Sequence, residues 1–81
     1  MNLAVNSIMT LENNLRYVLL NETEYLGKKY FLAMEIDDKK EVIPSNVAIF
    51  EEIKDLFNIY VEKVNDSELI VTLTKLLKAQ L

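Results

Sequence analysis

The chain has no histidine, no cysteine and no tryptophan, and only one glycine and one proline among 81 residues. Each absence removes a kind of chemistry. Without imidazole or thiolate there is no side chain whose ordinary pKa lies near neutrality, no sulfur nucleophile, and none of the Cys/His sets that hold structural zinc. A single glycine cannot build a glycine-rich phosphate cradle. Zero cysteine rules out disulfides within the chain and fits a reducing compartment. No window approaches the ~18–20 apolar residues of a membrane-spanning helix. The first nine residues, Met1 to Met9, carry no positive charge ahead of their short apolar stretch, as a secretory signal would. A cytoplasmic location without membrane contact is expected.

What is present is ample core material. Hydrophobic residues make up 51% of the chain and charged residues 27%, well away from the composition of disordered chains. The length allows one domain with one core. A core of this size leaves ~3–5 kcal/mol of net stability, so self-association is a plausible supplement. The net charge is −4, and the nine Lys and Arg residues are scattered, which argues against direct nucleic-acid binding. The pairs Lys28-Lys29 and Lys39-Lys40 are flanked by acids, as solvated hairpin tips are.

Residues 1–9 contain no charged side chain and read as an arm or an extra strand through Leu3, Val5 and Ile8, with a partly ordered arm favoured; residues 10–81 read as one α+β domain. The run Leu15–Leu20 is rich in strand formers and places a strand near 14–22. Tyr30, Leu32, Met34 and Ile36 alternate with Phe31, Ala33 and Glu35, so a second strand near 28–37 has two distinct faces. Gly27 lies between these strands, where a tight turn needs a positive φ.

The segment 46–64 is ambiguous. Val47, Phe50, Ile53 and Phe57 match helical spacing, yet the β-branched and aromatic runs favour two strands, near 46–53 and 57–64. The C-terminal segment reads as a helix over 66–80. Asn65 or Asp66 is its N-cap, Glu68 stands where a capping box with Asn65 needs it, and Leu69, Ile70, Leu73, Leu76 and Leu77 form one stripe. That stripe and the Tyr30 face each need cover, which predicts a small antiparallel sheet of about four strands with the helix packed on one face.

Carboxylates are the remaining catalytic currency. Glu35, Asp37, Asp38 and Glu41 crowd one turn and Glu51-Glu52 another segment, but a glycosidase pair needs an aromatic-lined cleft that a domain this small has little surface to form. The loop Asp37–Glu41 contains two lysines and lacks calcium-loop spacing, and Ser7 and Ser45 have no histidine to act as base. No enzyme activity, metal or cofactor is expected. The aromatics have no basic groove in which to stack nucleic acid, and Tyr17 and Tyr30 read as core. Phe31 and Ala33 lie on the face opposite Tyr30, which a second layer must cover or a partner must use.

The ordered segments Leu15–Leu20, Glu24-Tyr-Leu-Gly-Lys-Lys-Tyr-Phe-Leu, Val47–Ile53 and Val61–Leu69 resemble those of a family of short, acidic, uncharacterised proteins of Gram-positive bacteria, their phages and mobile elements. The resemblance covers about residues 10–80 and implies a small sheet with a helix, without implying an activity or any site residue. The expected function is a non-catalytic protein-interaction or regulatory module whose protein partner is unknown. The alternative is an acidic inhibitor that mimics nucleic acid on a bacterial or phage enzyme, motivated by the acidic excess. A homodimer is also expected, with Phe31, Ala33, Leu3, Val5 and Ile8 as its candidate surface.

Overall fold

The computed structural model describes residues 4–11 and 13–79. Five strands, β1 (Ile8–Thr10), β2 (Arg16–Tyr25), β3 (Lys28–Ile36), β4 (Val42–Lys54) and β5 (Ile59–Lys63), form one antiparallel sheet in sequence order, followed by a single helix, α1 (Ser67–Ala79). The fold is α+β, as the sequence implies, with one strand more than expected. The extra strand is β1, which places the 9/10 boundary between arm and domain inside a strand. Just before it, the Asn6 N–H donates to the Leu19 carbonyl at 2.7 Å and the Leu19 N–H to the Ser7 carbonyl at 2.9 Å.

Between 46 and 57 the helical alternative is wrong. Val47 to Glu51 pair residue by residue with Met34 to Tyr30 of β3. A helix there would have left the β3 edge open and put Ala48 and Ile49 on different neighbours. β4 also starts earlier than expected and carries Pro44 within it, at the register shift between the Ile36–Val42 and Met34–Val47 pairs. Bulges tolerate a residue that cannot donate to the ladder.

The helix starts as the sequence suggests, with Asp66 as the cap. Its Oδ1 accepts the N–H groups of Glu68 and Leu69 at 3.0 and 3.3 Å, and its carbonyl accepts the Ile70 N–H. With Asp66 in that role Glu68 is one position short of a capping box. The stripe of α1 packs on one sheet face, where Leu73, Leu77, Val64, Tyr30 and Ile49 form a buried cluster flanked by Leu32, Leu69 and Ile70. The Asn21 Nδ2 donates to the Leu77 carbonyl at 2.7 Å, tying the end of the helix to β2.

The other face supplies its own cover. Tyr17 on β2 and Phe50 on β4 meet edge to face with ring centroids 5.1 Å apart, although β3 lies between their strands. Strands two places apart in a flat sheet are separated by roughly 10 Å. The sheet therefore curls towards this face, and small Ala33 and Ala48 beneath the rings leave room for it. Met9, Leu19, Phe31 and Phe50 complete this core, with Leu11 and Val61 packed against it. Phe31 and Ala33 are 0% exposed. They are not a partner or dimer surface, because the curled sheet and β1 fill the place that the sequence left to a second layer or another chain.

Candidate interaction surfaces

The remaining residues of the expected dimer surface do not converge. Ile8 is half-exposed on β1, opposite Val18, and alternates with inward-facing Met9; Val5 is part-buried just before it, and Leu3 lies outside the described residues.

The acidic clusters are mostly taken up locally. Asp37 Oδ1 accepts the N–H groups of Lys39 and Glu41 at 2.8 and 3.0 Å, closing the β3–β4 turn, and Glu35 accepts from the Asn46 side-chain amide. Strand alternation sends Glu51 and Glu52 to opposite faces, where their nearest ammonium partners are Lys28 at 3.9 Å and Lys54 at 3.6 Å. Among the described residues no group of three or more carboxylates is placed to hold a metal ion. At the open rim of the curled face, Glu22 pairs with Lys29 at 2.8 Å, and the Lys29 ammonium stands 5.4 Å from the centre of the Phe31 ring. The Glu22 hydrogen bond holds Lys29 above its usual pKa against the opposing effect of burial. On the helix side, burial pushes the Tyr30 phenol up, aided by the Glu51 charge.

Among the described residues, two surfaces bring several apolar groups together in water. The first is at one end of the sheet. In an antiparallel meander the β2–β3 and β4–β5 turns fall at the same end, and here Gly27 and Lys28 of one line a shallow polar cleft with Glu52 and Lys54 at the base of the other. From these turns project Leu26, Leu56 and Phe57, which are 84%, 89% and 91% exposed. The two-residue turn between paired Tyr25 and Lys28 has φ of 51° at Leu26 and 79° at Gly27. Gly27 adopts this conformation freely, whereas an aliphatic side chain at Leu26 is strained by it. The sequence reading identified the glycine and missed the leucine. Between the strands expected near 46–53 and 57–64, Asp55-Leu56-Phe57-Asn58 has turn formers on both sides of the apolar pair, and the Asp55 N–H donates to the Asn58 carbonyl at 2.8 Å.

The second surface lies beside α1. β5 covers β4 from Phe50 to Lys54, and the Val64 N–H donates to the Ile49 carbonyl at 2.8 Å before the chain leaves for the helix. From Val42 to Ala48, β4 borders β3 on one side and, among the described residues, no strand on the other. A groove of about 280 Å³ opens there between the strand edge and the helix, lined by Leu32, Val47, Ile49, Val64, Ile70 and Leu77 among others. Lys63 is the one charged side chain on its wall among the described residues.

Compared with known proteins, the chain matches no family model, and no curated protein or solved structure is significantly similar to it. Among the described residues no helix is long and apolar enough to cross a membrane.

Proposed function

We propose that the protein is a non-catalytic protein-interaction module that engages its partner through the paired hairpin tips. The observation carrying this reading is the display of Leu26, Leu56 and Phe57 from one end of the sheet, each more than four-fifths exposed. Large apolar side chains this exposed lose the favourable transfer out of water, about 1.5–3 kcal/mol for each when buried. At Leu26 the chain also carries backbone strain, and such strain concentrates where function uses the residue. A regulatory role on a bacterial or phage element accords with the resemblance. Mimicry of nucleic acid is less well supported, because lysines stand beside Glu22, Glu51 and Glu52 and break up any negative face.

A photo-crosslinking residue in place of Phe57, expressed in the producing cell, tests the reading against the same residue in place of Lys40 at the other end. A partner adduct from position 57 and none from position 40 is expected. An adduct of twice the chain mass would identify the partner as a second copy and revive the homodimer on a new surface. Equal labelling from both ends, or none from position 57, would overturn the assignment.

A further inference from the structure

The groove beside α1 is independent of the hairpin tips, and its two walls ask for one kind of occupant. The β4 edge is a backbone wall. The Ile49 carbonyl faces outward to Val64, and because outward and inward groups alternate along a strand, the N–H and C=O of Val47 face outward as well. Beyond the end of β5 the next partner for these groups is a strand continuing its line. Among the described residues no segment provides one, since the chain turns into α1 after Val64. An added strand would place alternate side chains over Leu32 and Ile49 and against Ile70 and Leu77 of the helix, so apolar residues are required at every second position. Lys63, at the last position of β5, is the only charged group on the wall among the described residues.

We infer that this groove binds an extended segment of a partner protein by strand addition along Val47 of β4, with apolar side chains at alternate positions and a carboxylate paired with Lys63. The register shift around Pro44 ends the regular alternation of outward groups at the other end of the edge. The recognised stretch is therefore short.

A displayed library of random twelve-residue peptides, selected on the immobilised full chain, tests this inference. Expected winners carry apolar residues at i and i+2 and an Asp or Glu nearby, and in ¹⁵N spectra they shift the amides of Val47, Ile49 and Thr74. Thr74 lines the groove from the helix, so Thr74→Trp should fill it and weaken such peptides more than tenfold with unchanged circular dichroism. Exposed Lys63→Glu should reverse the selected charge from acidic to basic. Enrichment without alternation, shifts confined to Leu26, Leu56 and Phe57, or indifference to both substitutions would overturn the groove as a strand site. The hairpin-tip reading would survive any of these results, since its crosslink is read at Phe57.

Discussion

At the scale of single residues, the fold places side chains with small margins in two turns. Leu26 at φ 51° and Lys40 at φ 63° occupy the left-handed region without the glycine or asparagine that suits it. Leu26→Asn creates an Asn-Gly turn of the type two-residue hairpins favour, and should stabilise the chain by about 1 kcal/mol, raising Tm by ~4–8 °C. If Leu26 serves the partner, the same variant should lose the Phe57 crosslink, so that stability rises as binding falls. Lys40→Gly should stabilise by a similar ~0.5–1 kcal/mol and leave binding untouched, because it sits at the opposite end. Thermal melts of both variants, set beside crosslinking, separate the two effects.

Two raised pKa values give a sign for alkaline behaviour. Lys29 is held up by Glu22, so its contribution is complete below the unfolded value of ~10.4 and is lost as pH rises through the higher folded value. Tyr30 is held up chiefly by burial; the unfolded chain ionises first, near pH ~10, and unfolding is favoured from there upward. Both act in the same direction. The urea midpoint should fall between pH 9 and 11, and Tyr30→Phe should make that fall shallower while leaving the Lys29 part in place.

At the scale of elements, α1 depends on its first turn. Asp66→Ala removes the acceptor for two N–H groups and should cost about 1 kcal/mol in urea unfolding, whereas Asn65→Ala, at the other candidate cap, should be nearly neutral. The helix and the two-faced strand β3 were legible because their signals are local: a leucine stripe, a cap, and Tyr30 alternating with Phe31. β1 was legible only as an alternative to an arm, since three residues, Ile8 to Thr10, carry no periodicity and owe their strand to β2 alongside. The choice between helix and strand over 46–57 likewise depended on β3, whose edge Val47–Glu51 completes. The candidate surfaces were the least legible. The sequence marked Phe31 and Ala33 by their face, but burial of a face depends on curvature, and curvature here comes from pairs far apart in the chain such as Tyr17 with Phe50.

At the scale of the molecule, that curvature changes what a charge at Phe31 would do. In an exposed interface Phe31→Asp would dissociate a dimer; inside the core it buries a carboxylate among Phe50, Leu19 and Tyr17 that must compete with Glu22 for Lys29. The variant should be largely unfolded by circular dichroism, and Phe31→Leu should fold with a cost below ~1.5 kcal/mol plus that of any remaining cavity.

The sequence-ordered sheet also bears on how fast the protein reaches its structure. Every strand pairs with its neighbour in the chain, so the meander can assemble from one hairpin to the next, each closing a short loop. The contact between Asn21 and the Leu77 carbonyl is different, for it joins residues 56 apart. Contacts of such separation are formed late when local pairings can come first. The helix should then dock after the folding barrier is crossed, and Asn21→Ala should speed unfolding in stopped-flow experiments while scarcely slowing refolding. The last link made is the first to be lost, and it governs how long the native state persists.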